Sequence, residues 1–257
     1  MLMRASRWMV LCLVVGCAST TPEAPSSPSL PAATASAASE GVPETRALSL
    51  GVHWVRNSAE YEALIRQTFR LAGDRLQQLV ADRAAGTWAI SADADETILD
   101  NSLYAKELIL ADKDSTDDLW DAWVARRAAQ PMPGAIDFLN RVHSLGGRIA
   151  IVTNRIADHC PDTRANFRAF EIPFDVMLCR EDNRQKEPRW RMIETGDTPA
   201  GLPPMEIMLW LGDNIRDFPD LDQTLRFEDA AAFRAFGDRY FVFPNPIYGS
   251  WQGNPHD

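Results

Sequence analysis

Short apolar segments alternate along this chain with segments whose apolar residues recur every three or four positions. The first pattern predicts buried strands, and the second predicts amphipathic helices. The predicted strands are TWAISAD (87–93), RIAIVTN (148–154), FDVMLC (174–179), EIMLWLGD (206–213) and RYFVFPN (239–245). The predicted helices are 58–82, 135–145 and 161–170. Strands that alternate with helices form a parallel sheet flanked by helices, so we predict an α/β fold.

The segment between the first two predicted strands interrupts this alternation. Residues 99–132 are polar and aromatic, and we predict that they form a small, mainly helical cap. In parallel sheets of this kind the functional site lies at the carboxyl ends of the strands. The cap would therefore lie over the site.

Residues 1–16 are predicted to be a signal peptide. Arg4 and Arg7 precede an apolar run that is too short to cross a bilayer. The run ends in VVGC, which resembles the bacterial lipobox, so Cys17 is predicted to be lipidated and to become the first mature residue. An ordinary signal peptide that is cut elsewhere is the alternative. Ala18 stands where an inner-membrane retention signal has Asp, which by resemblance favours the outer membrane.

Residues 17–50 are predicted to be a flexible tether, because Pro, Ala, Ser and Thr dominate them and few large side chains are present to bury. The folded domain is predicted to span 51–257. The composition, 46% apolar and 24% charged, is typical of one soluble domain. A net charge of -10 argues against a nucleic-acid polymer as partner, since such binding needs Lys and Arg to neutralise phosphates.

Polar and acidic residues collect where the predicted strands end. They are Asp93 and Asp95 after the first strand, Thr153 and Asn154 at the end of the second, and Asp213 and Asp217 after the fourth. Asp and Asn are also common turn and cap residues. Carboxylates gathered at one sheet edge repel one another unless a cation lies between them, and oxygen ligands suit Mg²⁺. The pattern therefore favours a Mg²⁺ site at this edge.

Five motifs give the chain a family resemblance. In order they are DADETILDNSLY, IVTNR, the run Lys186-Glu187-Pro188-Arg189, LGDNIRDF and PNPIYG. Together they resemble the haloacid dehalogenase (HAD) superfamily, and within it the class C acid phosphatases, which are bacterial lipoprotein 5′-nucleotidases. The resemblance runs from about residue 53 to the C-terminus. It implies a Rossmann-like HAD fold.

The resemblance also implies catalysis through an aspartyl-phosphate. Asp93 would be the nucleophile, and Asp95 would act as general acid and then general base. Thr153 and Asn154 would bind phosphate oxygens. Lys186 would neutralise the phosphoryl charge and keep Asp93 ionised.

The same resemblance implies Mg²⁺ as the cofactor. Its ligands would be Asp93, the main-chain carbonyl of Asp95, and Asp213. Asp217 would act through water or as a further ligand. The metal would offset the repulsion between an anionic nucleophile and an anionic substrate.

Several neighbouring residues have simpler interpretations. Arg184 and Arg189 are rival cations to Lys186 within one basic run, which could also be a solvated loop. Asp100 and Asn101 are expected to cap the segment that follows them.

Two tyrosines lie at positions where the family places rings against the organic part of the substrate. By resemblance, Tyr104 and Tyr248 would stack on that part, although a purely structural role is an equal alternative. Trp120 and Trp123 are spaced as one face of a helix, which favours packing within the cap over ligand contact.

Cys160 and Cys179 leave two alternatives open. After export both would lie in an oxidising compartment, where they could form a disulfide. Two buried free thiols are the alternative, because sequence alone does not place their Cα atoms within bonding range.

The functional expectation is an exported, membrane-anchored, Mg²⁺-dependent acid phosphatase. Its substrates would be small phosphate monoesters, with nucleoside monophosphates among the candidates. It would be an outer-membrane lipoprotein that faces the periplasm or the cell surface. The alternative from another class is a non-catalytic lipoprotein that uses the same fold to bind a metal or a partner, and within the enzyme class phosphotransfer is a third candidate.

Overall fold

A computed structural model gives the architecture of residues 47–256. The predicted signal peptide, Cys17 and most of the predicted tether lie outside this range. The strands of the described part are β1 (Trp88–Ala92), β2 (Leu99–Asp100), β3 (Gln130–Pro131), β4 (Arg148–Ile156), β5 (Val176–Arg180), β6 (Glu206–Gly212) and β7 (Tyr240–Val242). The helices are α1 (Leu50–Asn57), α2 (Ala59–Leu79), α3 (Ser102–Leu110), α4 (Asp117–Arg126), α5 (Ala135–Ser144), α6 (Cys160–Ala169) and α7 (Glu187–Thr195).

Five strands form a parallel sheet in the order β5-β4-β1-β6-β7, with β1 at its centre. The predicted α/β fold is therefore confirmed. All five predicted strands occur, although β4 continues to Ile156 and β7 is shorter than its predicted segment. Every residue of β1 is buried, as expected for a strand with helices on both faces.

Side chains alternate between two apolar clusters on opposite faces of the sheet. Trp88 and Ile90 of β1 point into the larger cluster, to which α2 and α5 contribute. Ala89 points into the smaller cluster, which Trp190 and Ile193 of α7 cover. The two-residue period of the strands thus builds both layers.

The long helix predicted over 58–82 occurs as α2, which spans Ala59–Leu79, and a separate helix that was not predicted, α1, precedes it. Ser58 ends α1 and begins α2, and its hydroxyl accepts the Tyr61 N–H at 3.1 Å. A serine with extended backbone satisfies a free amide of the first turn and so separates two helices. No helix within residues 47–256 has both the length and the apolar character that crossing a membrane requires.

The segment between β1 and α5 contains two helices, as predicted for the cap. α3 and α4 lie between β2 and β3, which pair antiparallel as Leu99 with Pro131 and Asp100 with Gln130. The chain therefore leaves and re-enters the main body through adjacent strands. Trp123 is buried and Trp120 is partly buried against the core, which agrees with the packing role predicted for both.

A disulfide joins Cys160 to Cys179, which decides between the two alternatives that the sequence left open. The Cα atoms lie 6.1 Å apart, within the usual range for such a bond. Cys160 is the first residue of α6 and Cys179 lies in β5. The bond therefore holds the start of α6 against the edge strand of the sheet.

Candidate active site

The carboxyl ends of β1 and β6 bring Asp93 and Asp213 to one edge of the sheet. The two strands are parallel neighbours, and the Asp93 N–H continues their ladder by donating to the Leu211 carbonyl at 2.9 Å. Asp217 follows in a short 3₁₀ turn over Ile215–Asp217. These strand-end positions agree with the sequence prediction, because the carboxyl ends of parallel strands share one edge.

Gly212 allows Asp217 to fold back against the end of β6. A Cβ atom at Gly212 would lie 2.2 Å from the Cβ atom of Asp217, so any side chain there would displace this carboxylate. Asp217 Oδ2 accepts the Asn214 N–H at 2.9 Å, and the Asn214 side chain accepts the Arg216 N–H at 3.2 Å. This reciprocal capping fixes the turn and the direction of the Asp217 side chain.

Lys186 lies between two of the carboxylates. Its Nζ atom is 2.6 Å from Asp93 Oδ1 and 2.7 Å from Asp217 Oδ1, and its side chain is only 2% exposed. Burial disfavours its charge, but Asp217 and Asp93 outweigh burial and raise the pKa of the ammonium group. Of the three rival cations in the basic run, Lys186 is thus the one that pairs with Asp93.

The cluster carries more negative than positive charge. One carboxylate oxygen from each of Asp93, Asp213 and Asp217 lies within 4.8 Å of the others, and Lys186 supplies one positive charge among them. Burial raises the pKa of Asp93 to about 7 in spite of Lys186. Burial, followed by the charges of Asp217 and Asp93, also raises the pKa of Asp213 well above its usual range. Three buried or half-buried oxygen donors with an uncompensated negative charge fit a divalent cation.

The Asp95 carboxylate stands apart from this cluster and is held by donors. Arg155 Nε lies 3.0 Å from its Oδ1 and 3.1 Å from its Oδ2, and Arg155 Nη2 lies 2.7 Å from Oδ1. Asn101 Nδ2 donates to the same Oδ1 at 2.8 Å. The resemblance gave Asp95 a metal-binding role through its main-chain carbonyl, and that role stays a prediction.

The expectation that Asn101 caps the following helix with its side chain is wrong. Asn101 occupies the N-cap position of α3, but its side chain makes no capping hydrogen bond. The amide instead donates to Asp95, and Trp123 Nε1 donates to its Oδ1 at 2.8 Å. Asp100 does take the capping role, since its Oδ1 accepts the Ser102 N–H at 2.7 Å.

Thr153 and Asn154 lie near the carboxyl end of β4, the strand that pairs with β1. Thr153 is fully buried, and its hydroxyl accepts the Arg155 N–H at 3.1 Å. Arg189, from the first turn of α7, donates to the Thr153 carbonyl and to Asn154 Oδ1, the latter at 2.8 Å. Arg189 therefore buttresses this strand end, while the phosphate contacts predicted for Thr153 and Asn154 stay predictions.

The two predicted stacking tyrosines have different surroundings. Tyr104, on α3, packs edge-on to Trp120 at 5.3 Å, and its hydroxyl pairs with Ser115 Oγ at 2.7 Å. Tyr248 is 39% exposed in the C-terminal segment. Ring contacts within residues 47–256 do not join the two tyrosines. Both alternatives given for them therefore stay open.

Most of the chain matches one protein family. The model of the HAD superfamily, subfamily IIIB (acid phosphatase), matches residues 18–251. The chain belongs to this family.

Solved structures support the same assignment. The structure of the class C acid phosphatase from Bacillus anthracis is 27% identical, with a TM-score of 0.70, and the match covers 79% of this chain and 85% of that one. A second structure of the Bacillus anthracis enzyme, with tungstate bound, gives 27% identity, a TM-score of 0.69 and the same coverage. This acid phosphatase thus shares the HAD class C fold, and it is a phosphomonoester hydrolase that acts on small phosphate esters, as the motifs predicted.

Sequence reasoning missed two residues of this acid phosphatase site. Arg155 ends the quoted motif IVTNR, and Asn245 lies in PNPIYG, where its amide donates to Asp213 Oδ2 at 2.8 Å. Neither received a role, because a polar residue after a strand resembles an ordinary solvent-facing residue. Membership in the motif was the available signal for both.

Proposed function

We propose that this acid phosphatase is an exported, lipid-anchored enzyme that requires Mg²⁺ and hydrolyses phosphate monoesters through a phosphorylated Asp93. The observation that carries the proposal is the pairing of Asp93 with Lys186 beside Asp213 and Asp217, all buried or half-buried at one sheet edge. A carboxylate that is oriented by a buried ammonium and surrounded by oxygen donors is suited to receive an anionic phosphoryl group.

Asp93 forms the bond to phosphorus. Its carboxylate attacks the phosphoryl group, the bond to the leaving oxygen breaks, and an acyl phosphate results that water then hydrolyses. Lys186, at 2.6 Å, fixes the carboxylate and offsets the negative charge that the substrate brings. Bound Mg²⁺ would be held by Asp93 and Asp213, with Asp217 beside them, and would supply Lewis-acid stabilisation of the phosphoryl charge.

Asp95 moves the proton. It protonates the leaving oxygen in the first half of the reaction and deprotonates the attacking water in the second. Both of its oxygens accept hydrogen bonds from Arg155, and Asn101 also donates to one of them. When Asp95 acts as an acid, one of its oxygens must therefore give up a hydrogen bond from Arg155 or Asn101 and contact the leaving oxygen instead.

Nucleoside monophosphates are the proposed substrate class. Tyr104 lies in the cap and Tyr248 in the exposed C-terminal segment, so both rings belong to segments outside the central sheet. A ring that stacks on a base contributes roughly 1–3 kcal/mol and tolerates many bases. The half-exposed Tyr248 is the better candidate for such a contact, because the ring of Tyr104 already packs against Trp120 and Trp123.

Export and anchoring rest on the N-terminal sequence. Cys17 follows a small residue at the end of a short apolar run that basic residues precede, and this arrangement supports lipidation. The Cys160–Cys179 bond is compatible with an oxidising compartment such as the periplasm or the cell surface. A substitution Cys17→Ser should move the protein from the membrane fraction to the soluble fraction.

The catalytic proposal is tested with the full chain purified in detergent. Phosphate release from p-nitrophenyl phosphate and nucleoside monophosphates is measured at pH 5 to 7, with Mg²⁺ or with EDTA. We expect turnover with Mg²⁺, loss of turnover in EDTA, and loss in Asp93→Asn. Asp74→Asn, which changes an exposed carboxylate on α2, is the matched control and should keep wild-type turnover. Full activity in Asp93→Asn would overturn the assignment of the nucleophile.

A further inference from the structure

Asn245 connects the C-terminal segment to the carboxylate cluster. Its Nδ2 atom donates to Asp213 Oδ2 at 2.8 Å, although the two residues are 32 positions apart. The residue follows β7, the strand that pairs with β6, and Asp213 directly follows β6. Neighbouring parallel strands thus place the amide and the carboxylate side by side.

The other end of the same side chain organises the turn that carries Tyr248. Asn245 Oδ1 accepts the Ile247 N–H at 3.0 Å and the Tyr248 N–H at 3.3 Å. These two contacts fix the orientation of the amide, because the reverse orientation would place the carbonyl oxygen against a carboxylate. One side chain therefore contacts the proposed metal ligand and the proposed stacking residue.

A second contact holds the segment to the same loop. Ser250 Oγ donates to Asn214 Oδ1 at 2.9 Å, and Gln223 Nε2 donates to Ser250 Oγ at 2.9 Å. Asn214 is the residue next to Asp213. The segment is thus attached at both of its ends, so a change at Asn245 alone leaves it tied to the protein.

We infer that Asn245 is a positioning residue that sets the Asp213 carboxylate for metal binding and, through its carbonyl oxygen, sets Tyr248 for substrate binding. This inference rests on the proposed Mg²⁺ site. Groups that orient a ligating carboxylate typically account for 10- to 100-fold in metal affinity. The metal site and the recognition of the organic part of the substrate are therefore coupled through one amide.

Two substitutions separate the two contacts. Asn245→Ser keeps an oxygen that accepts an N–H two residues ahead, but the shorter side chain does not reach Asp213. Asn245→Ala removes both contacts. Asn254→Ser is the matched control, because Asn254 lies in the same segment and donates to Gln223 Oε1 at 2.9 Å rather than to the cluster.

The first measurement is Mg²⁺ binding to the full-length protein by titration calorimetry, which needs no turnover. We expect Asn245→Ser and Asn245→Ala to weaken Mg²⁺ binding by roughly 10-fold or more, and Asn254→Ser to match the wild type.

The second measurement is the KM at saturating Mg²⁺. Phosphoserine, which has no ring to stack, is the reference substrate. We expect the ratio of the KM for a nucleoside monophosphate to the KM for phosphoserine to rise in Asn245→Ala. The ratio should stay near that of the wild type in Asn245→Ser.

The outcomes separate this inference from the proposed function. If the wild type binds Mg²⁺ and Asn245→Ser binds it equally well, the inference is overturned while the Mg²⁺ site stands. If the wild type binds no Mg²⁺, both are overturned. Circular dichroism and the Tm of each variant in EDTA show whether the fold is kept, and a Tyr248→Ala variant should change the nucleotide KM without changing Mg²⁺ affinity.

Discussion

The guanidinium group of Arg155 is bound to both carboxylate oxygens of Asp95, with a shortest distance of 2.7 Å. The Arg155 side chain is only 2% exposed, and Thr163 Oγ1 accepts its Nη1 at 3.1 Å. Arg155 lies in β4, and Asp95 lies in the loop that follows β1. The two strands are neighbours in the sheet. The proposed proton-transfer group is therefore held in place by a neighbouring strand end.

The first prediction concerns this pair. Arg155→Lys keeps a positive charge but loses the guanidinium group that contacts both oxygens of Asp95. The Asp95 carboxyl should therefore shift away from the position in which it can protonate the leaving oxygen. We expect kcat to fall by up to about 100-fold, because small misplacements of reacting groups have effects of that size. Steady-state kinetics with p-nitrophenyl phosphate measure it. Arg127→Lys, at an exposed ion pair with Asp162, should retain the wild-type kcat.

The second prediction concerns Lys186. Lys186→Met removes the buried ammonium and leaves Asp93 and Asp217 without their ion pair. We expect the free energy of unfolding to fall by about 3–5 kcal/mol, as when one partner of a buried pair is lost. Urea unfolding in EDTA measures it. Lys113→Met, at an exposed position after α3, should change stability by less than about 0.5 kcal/mol. Equal stability of the two variants would contradict the prediction.

The third prediction concerns the pH dependence of the metal-free protein. Burial raises the pKa of Asp93 to about 7, whereas the unfolded carboxyl titrates near its ordinary value, so the folded state binds a proton that the unfolded state releases. This contribution to stability is complete below the unfolded pKa and is lost as the pH rises through about 7. We expect the Tm in EDTA to decrease more between pH 5 and pH 8 in the wild type than in Asp93→Asn. Parallel Tm profiles would count against it.

The fourth prediction concerns the disulfide. Its loss in Cys160→Ser/Cys179→Ser should lower the free energy of unfolding by roughly 2–4 kcal/mol, because the reduced chain gains freedom when unfolded. Denaturant unfolding with and without dithiothreitol measures it. The wild type should lose stability on reduction, and the double variant should not respond to the reductant.

The sheet could be predicted from sequence because its strands are buried on both faces. Such strands are short apolar runs that end in polar residues, and this contrast marks β1, β4 and β6 together with the polar site residues at their carboxyl ends. The start of α2 was predicted within one residue, whereas α1 was missed. Its eight residues are too short a segment for the helical spacing of apolar residues to be recognised.

The donors around the carboxylates could not be predicted because their partners are distant in the chain. Arg155 is 60 positions from Asp95, and Asn245 is 32 positions from Asp213. A charged or amide side chain is usually buried only where the fold supplies a hydrogen-bond partner. The sequence does not show which distant residue that partner is. Asn101 is a further example. Its place before α3 predicts a helix cap, but in the folded protein its side-chain amide donates to Asp95 instead.

The pairing of β2 with β3 closes the cap at its base. Leu99 lies opposite Pro131 and Asp100 opposite Gln130, so residues 101–129 begin and end at one narrow neck. Exposed residues of α3 and α4 can change without altering the strand ends that hold Asp93 and Asp213, whereas Trp123 is tied to Asp95 through Asn101. Substitutions confined to those exposed positions should therefore leave the phosphate chemistry of the sheet edge unchanged.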